Sequence, residues 1–334
     1  MKSKRLWMVV GGLLLLAGAG FLSMVLLIKG GEGRLREPKH YGEASQVEVM
    51  PQVLWNGDVY EYRQHMVNIL CLGIDGRGVA EKNEDIGFGP RADSIYLAVL
   101  DLDQEKLMLL NISRDTMADI RIFDSMGKDQ GLYPMQLGLQ YANGDGLSYS
   151  CELTATAVSR LLEGIPIHGY CALYWNGVGE LHDQLGPVRV WVSEELHQLD
   201  EKRFPESGLL ELNREQAMVY VQGRDTQENG SNEVRSGRQQ AYFQELFSAG
   251  KRQIKSHPLK VFSLIRGIEP YLVTDLDTGE ILALASWMRD WEMDQLEIRN
   301  LPGESVSGLF QDEYWVYQEE KKELLLELFY EKWY

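Results

Sequence analysis

The strongest constraint on this chain lies near its start. Leu6 to Ile28 reads LWMVVGGLLLLAGAGFLSMVLLI, a run of 23 residues without a charge. As a helix rising about 1.5 Å per residue it reaches about 35 Å, enough to cross a hydrocarbon core of about 30 Å. A secretory signal carries a shorter apolar stretch, about 7–15 residues. Ala17-Gly18-Ala19 resembles a cleavage box but has apolar residues on both sides. The expectation is therefore an uncleaved signal anchor over residues 6–28, with a cleaved signal as the alternative. Lys2, Lys4 and Arg5 abut the first apolar residue, whereas Lys29, Arg34, Arg36 and Lys39 are spread out after the last. The compact cluster favours a cytoplasmic N-terminus over residues 1–5. The expected localisation is the cell membrane, crossed once, with the rest of the chain extracellular.

Composition narrows the function classes. The 334 residues carry 33 Lys and Arg against 50 Asp and Glu, a net charge of −17. Phosphate affinity comes mainly from clustered basic side chains, so a chain this acidic is a poor general binder of nucleic acid. Hydrophobic residues at 44% and charged residues at 25% are ordinary for a globular protein and exclude a multi-span transporter. Cys71, Cys151 and Cys171 are far apart and lack C-x-x-C spacing, which excludes a Cys-based zinc site and a disulfide framework. They read as three buried thiols; a Cys151–Cys171 bridge is the one pairing considered. The six His show no H-E-x-x-H spacing, and Ser113 has no nucleophile elbow around it.

Residues 29–66, polar and rich in Gly and charge, read as an extracellular stalk. Three short apolar runs follow: Asn68–Ile74 (NILCLGI), Ser94–Leu100 (SIYLAVL) and Lys106–Ile112 (KLMLLNI). Nearly continuous apolar runs of this length suit central strands buried on both faces, and the last two are close enough to form a hairpin. Cys171–Trp175 and the alternating Val188–Val192 are further strand candidates. Ser150–Glu163 has helical spacing stopped by Gly164, and Leu212–Val221 reads as a helix with Asn213 as its N-cap. A longer helix is expected from Arg235 to about Ile254, and residues 255–334 read as helical, ending in an amphipathic helix that packs on the domain. Strands mixed with helices predict an α/β fold, an α/β/α sandwich with a central mixed sheet flanked by helices, preceded by the transmembrane helix.

Arginine stands out against the acidic background. Arg77, Arg91, Arg114, Arg224, Arg235 and Arg238 fall at or just beyond strand and helix ends, and three stand beside an acid: Arg77 with Asp75, Arg91 with Asp93, Arg114 with Asp115. Strand ends of α/β sheets are where ligands gather, and Arg recognises phosphate through planar, bidentate contacts. Mg²⁺ is typically held by one or two carboxylates plus substrate phosphates. The constellation points to a pyrophosphate–metal site; surface ion pairing at loop ends is the alternative for any single pair. The tryptophans, among them Trp175, Trp191 and Trp287, suit core and surface packing better than sugar stacking.

The ordered segments NILCLGIDGR, RADSIYLAVLD, LLNISRDT, LNREQAMVYVQGRDT and VRSGRQQ resemble the motifs of the LytR-CpsA-Psr family, over roughly residues 67–254. That resemblance implies a cell-envelope transferase that moves an anionic glycopolymer, such as teichoic acid or capsular polysaccharide, from a polyprenyl pyrophosphate carrier to peptidoglycan. It further implies Mg²⁺ (or Mn²⁺) and an apolar groove for the lipid. On matching positions it makes Asp75 and Asp93 the metal carboxylates. Arg77, Arg91, Arg114, Arg224, Arg235, Arg238 and Gln239 become the pyrophosphate clamp, with Asp115 orienting Arg114 and Asp75, Arg114 and Asp115 as catalytic residues. This chain departs from the motifs, which usually carry Arg where it has Gln222, Lys at Gln136, Asn at Gly138, Asp at Asn232 and Gly at Pro187. Those departures motivate two alternatives: a non-catalytic envelope-binding or regulatory homologue, and a polyprenyl pyrophosphate hydrolase.

Overall fold

The central strands carry large apolar side chains on one face and several small ones on the other, and this asymmetry shapes the protein. The computed structural model describes residues 23–41, 48–83, 86–223, 231–292, 296–308 and 312–333. Residues 23–35 form helix α1. After it come β1 (Gln52–Trp55), β2 (Asp58–Tyr62), β3 (Met66–Ile74), β4 (Ala92–Asp101), β5 (Lys106–Ile112), β6 (Met117–Phe123), β7 (Asp129–Gln136) and α2 (Ser148–Leu161). Next are β8 (Gly169–Tyr174), α3 (Trp175–Leu185), β9 (Val188–Val192), α4 (Glu194–Leu199), β10 (Gly208–Leu212), α5 (Arg214–Gln222) and α6 (Ser231–Ser256). The chain ends with α7 (Lys260–Ile268), β11 (Leu272–Thr274), α8 (Thr278–Asp290), β12 (Glu297–Asn300), β13 (Gly303–Ser307), β14 (Asp312–Val316), α9 (Gln318–Phe329) and β15 (Tyr330–Lys332).

Six strands form the main sheet, in the order β11-β8-β3-β4-β5-β12. Strands β8, β3, β5 and β12 run parallel to one another; β4 and β11 run against them. The period-2 alternation of side chains sends Leu70, Leu72, Ile74, Ile95, Leu97, Leu110, Ile112, Tyr170 and Ala172 to one face. There they meet α2 and α9 in the largest buried cluster. Burying each large aliphatic side chain is worth about 1.5–3 kcal/mol, so this face dominates stability. The opposite face carries Cys71, Gly73, Ser94, Ala98 and Cys171 and is roofed by α3, α6 and α8. A second small core joins β9 and β10 to α5 and α6 around Phe204, Tyr220 and Tyr242.

At the base of the sheet, Asn68 and His168 tie β3 to β8. The His168 N–H donates to Asn68 O at 2.7 Å, and Asn68 N–H donates to His168 Nδ1 at 3.0 Å. Burial lowers the imidazole pKa to about 4, so the ring is neutral at pH 7.

The expected α/β layers and the expected strands and helices are present, but three expectations need correction. The first is the stalk. Residues 29–41 are packed on the domain: Leu35 is fully buried, and Arg34 pairs with Asp277 at 2.8 Å. Tyr41 Oη donates to Asp275 at 2.8 Å. Gly31 lies so close to Gly279 that a Cβ would fall 2.1 Å from its carbonyl, an approach that only a residue without a side chain allows. Strands β1 and β2 then form a small sheet in which β2 pairs with β15. The second is the C-terminal part, which is not purely helical: β11 and β12 complete both edges of the main sheet. The third concerns thiols: all three are free, as expected, but only Cys151 is fully buried, and the two that meet are Cys71 and Cys171, 3.5 Å apart and unbonded on adjacent strands. The expected span over residues 6–28 lies mostly outside the described residues. Among the described residues no helix is long and apolar enough to cross a membrane.

Candidate active site

The site forms at the carboxyl ends of β8, β3, β5 and β12, where open α/β sheets gather ligands. Strand register sets its centre. Ile95 of β4 faces Ile112 of β5, and two residues further toward the site Asp93 comes opposite Arg114. On the other side β3 ends against the start of β4, with Ile74 facing Ala92, so that Asp75 emerges beside Arg91. Arg91 N–H donates to Asp75 Oδ1 at 2.7 Å. Helix α6 crosses this sheet end and presents Arg235 and Gln239 from one face, four residues apart.

Asp93 is the hub of the charge cluster. One carboxylate oxygen accepts from Arg114, and the other lies 3.3 Å from Arg235 Nη1. Arg114 Nε also lies 3.4 Å from Oδ1 of the buried Asp115. Burial works against the Arg114 charge, but Asp93 and Asp115 more than offset it and raise its pKa. Gly138 clamps this corner: its N–H donates to Arg114 O at 2.8 Å, and a Cβ there would strike Ala92 O. Asp75 sits at the mouth of the site. Its carboxyl is pushed above the ordinary aspartate value by partial burial and by the neighbouring Asp93, against the pull of the Arg91 amide and nearby guanidinium groups.

Two cavities meet here. A polar pocket of about 370 Å³ is lined by Asp93, Arg114, Asp115, Arg235 and Gln239 on one side and by Asn111, Asn300, Gln240 and Tyr314 on the other. Beneath the helical roof lies an apolar cavity of about 490 Å³, bounded by Cys71, Ala98, Leu109, Leu173, Phe243 and Leu246 among others. A narrow passage of about 40 Å³ joins them. Its wall shares Asp93, Arg235 and Gln239 with the polar pocket and Gly73, Leu173, Val178 and Phe243 with the apolar cavity. Ser94 lines all three and donates to Gln239 Oε1 at 2.9 Å, while Gln239 Nε2 donates to Val221 O at 3.1 Å. Gln239 is thus a fixed strut in the passage.

The structure therefore brings together Asp75, Arg91, Asp93, Arg114, Asp115, Arg235 and Gln239. It treats the other expected clamp residues differently. Arg77 is exposed on the loop after β3 and lines none of these cavities. Arg238 turns away and donates to the Gly223 carbonyl, closing the end of α5; burial lowers its pKa. Arg224 lies outside the described residues. Sequence reasoning missed Ser94, Asn111, Asn300 and Tyr314. Asn111 left a signal, being a polar residue inside an apolar strand run; Asn300 and Tyr314 left none, because only tertiary packing delivers them.

Asp75 and Asp93 suit one hard divalent cation shared with substrate oxygens: the two carboxylates repel one another, and an intervening cation would relieve that. Among the described residues no group of three or more acidic, His or Cys ligands could hold a metal without a substrate's help.

The site is thus an arginine–carboxylate pocket beside an apolar cavity, at the carboxyl end of a mixed α/β sheet. The chain belongs to the LytR-CpsA-Psr family: the LytR_cpsA_psr family model matches residues 34–329. Its fold is similar to that of TagT bound to LI-WTA, with a TM-score of 0.60 and 20% identity over 79% of this chain and 90% of that one. It is also similar to protein gbs0355 from Streptococcus agalactiae, at TM-score 0.61 and 17% identity over 79% and 86%. B. subtilis TagV aligns at TM-score 0.56 and 18% identity over 80% and 96%. No curated protein matches the chain.

Proposed function

We propose that this protein is a membrane-anchored, Mg²⁺-dependent phosphotransferase that moves an anionic glycopolymer from a polyprenyl pyrophosphate carrier to peptidoglycan on the outer face of the cell membrane. Family membership supports a cell-envelope glycopolymer transferase, and the related TagT has been seen bound to wall teichoic acid in its LI-WTA complex. The observation that carries the finer reading is the passage. It links an arginine–carboxylate pocket to an apolar cavity, which matches a diphosphate with a hydrocarbon tail.

In this reading the polyprenyl tail fills the apolar cavity and the diphosphate lies at the passage between Arg114 and Arg235. The acceptor sugar hydroxyl attacks the phosphorus that bears the glycan. A new P–O bond forms, the bond from that phosphorus to the bridging oxygen breaks, and polyprenyl phosphate leaves. Arg114 and Arg235 stabilise the charge that accumulates on the phosphoryl oxygens, as preorganised cations do in phosphoryl transfer. Asp75, at the mouth of the site, takes the hydroxyl proton. Asp75 and Asp93 would hold Mg²⁺ (or Mn²⁺), which when bound neutralises diphosphate charge. The amide and hydroxyl groups of Asn111, Asn300, Gln240 and Tyr314 form the wall facing the sugars.

The test uses the full-length protein in detergent with a lipid-linked glycan donor, Mg²⁺ and a peptidoglycan acceptor. Transfer to the acceptor is the expected result. Release of polyprenyl phosphate without transfer identifies a hydrolase instead. Binding without turnover identifies a non-catalytic homologue, and recovery of turnover in Gln222→Arg would then trace the loss to that position.

A further inference from the structure

One stretch of this acidic chain has no acid at all. From Leu246 to Ile268 there are five basic residues, Lys251, Arg252, Lys255, Lys260 and Arg266, and neither Asp nor Glu. The stretch forms the C-terminal half of α6 and the whole of α7. Among the described residues Arg252, Lys255, Lys260 and Arg266 make no ion pair. Between them stand two large apolar side chains in water: Leu259, 66% exposed, and Phe262, 40% exposed. The inner side of α7 is ordinary core, with Val261 and Leu264 buried. A helix with core on one side and an exposed mixture of basic and large apolar residues on the other has the composition of an interfacial element.

Its position matters more than its composition. Ile28, the last residue of the uncharged N-terminal run, packs into the small cluster of Val261, Ile265, Ile281, Leu282 and Ala285, between α7 and α8. The neighbouring Leu26 and Leu27 are exposed. Helix α1 is locked to α8 just beyond, through Gly31 against Gly279 and Arg34 with Asp277. The apolar run therefore leaves the domain beside α7, with no slack between them. The lining of the apolar cavity reaches the same corner, at Gly250, Lys251, Ile254 and Met288.

We propose that the corner made by the end of α6 and by α7 docks on the surface of an anionic phospholipid bilayer, with Leu259 and Phe262 inserted at the acyl boundary and the basic residues against the headgroups. Docking fixes the domain so that the apolar cavity faces the membrane, and a polyprenyl tail passes from one to the other without crossing water. The proposal rests on the reading of residues 6–28 as a membrane anchor. Each basic residue held at an anionic surface shifts the docked population by about fivefold.

The full-length protein is reconstituted in nanodiscs, with photo-crosslinking p-benzoylphenylalanine placed singly at Phe262, at Leu14 within the apolar run, or at Phe88, which is 89% exposed and far from this corner in the chain. Docking gives lipid adducts at positions 14 and 262 and none at 88. The adduct at 262 falls severalfold when anionic lipid is replaced by phosphatidylcholine, or when Arg252→Glu and Lys255→Glu are combined, while that at 14 stays constant. An adduct at 14 alone overturns docking and leaves the anchor reading intact. An adduct at 262 indifferent to lipid charge and to both substitutions overturns the anionic recognition. No adduct at 14 overturns the anchor reading and this proposal with it.

Discussion

His168 offers a prediction whose size follows directly from the structure. The ring is buried at the base of β8, and its Nδ1 accepts the Asn68 amide at 3.0 Å. A proton on Nδ1 would break that bond and bury a charge. The pKa accordingly falls from the ordinary 6.5 to about 4. The unfolded chain takes up the proton first, so the stability this site contributes is complete above pH 6.5. It is lost as pH falls toward 4, and levels off below that. Between pH 7.5 and pH 4.5 the loss amounts to about 2.5 kcal/mol. His168→Asn keeps an acceptor near the Nδ1 position and cannot take a proton in this range. Urea unfolding of the detergent-solubilised protein, followed by Trp fluorescence, compares the two at both pH values; titration of all other groups cancels in the comparison. The wild type is expected to lose about 2.5 kcal/mol more than the variant. If the two lose stability in parallel, His168 is not held neutral by its burial, and the account of this strand tie is wrong.

Two further perturbations probe the site. Arg114→Ala and Asp93→Ala should both abolish transfer, because each removes a charged contact in the polar pocket worth at least about 1.5–3 kcal/mol. Their effects on stability should differ: Asp93→Ala removes the carboxylate that Arg114 and the 6%-exposed Arg235 share, at a cost of about 1–2 kcal/mol after allowing for partial exposure, whereas Arg114→Ala leaves Asp93 paired with Arg235. Melting temperatures in the reverse order would remove Asp93 from the centre of the cluster. Ala98→Phe should fill part of the apolar cavity without harming the fold. At about 0.8 kcal/mol per methylene, excluding three methylenes of the tail weakens donor affinity about fiftyfold. A donor with a much shorter tail should be spared, and equal loss for both donors would place the tail elsewhere.

What the sequence displays and what it conceals follow from the range of the interactions involved. Strands β3, β4 and β5 are legible because each is a self-contained apolar run, and the hairpin of the last two already sets Asp93 against Arg114. The capping box of α5 is equally local: Asn213 accepts from Gln216 N–H, and Gln216 returns the bond. Strands β11 and β12 are not legible. Glu297–Asn300 reads EIRN, short and polar, and is a strand only because β5 offers it a parallel edge. The apolar cavity is hidden for a different reason. A run such as NILCLGI is apolar on both faces, so hydropathy does not reveal that Cys71 and Gly73 share a face with Ser94 and Ala98 and leave it hollow. Arg77 and Arg238 look equivalent to Arg114 and Arg235 in sequence, yet only register and helix phase decide which guanidinium groups converge.

The departures from the family motifs divide along the same line. At Gln136 a side chain without a charge donates to the Asp312 carbonyl at 2.6 Å. That bond holds the β13–β14 hairpin, whose Tyr314 N–H reaches Asp115 O at 2.8 Å, so Gln136 helps fix the wall of the polar pocket. The substitution there exchanges a cation for a structural tie, and the tie keeps Asp115 beside Arg114. Gln222 has no such role: it is exposed at the rim of the passage, where a cation would face the diphosphate directly. Of the two, Gln222 is the one whose consequence falls on substrate rather than on fold. An arginine restored there should tighten diphosphate binding and leave stability unchanged, whereas a lysine at position 136 should loosen the hairpin before it adds any affinity.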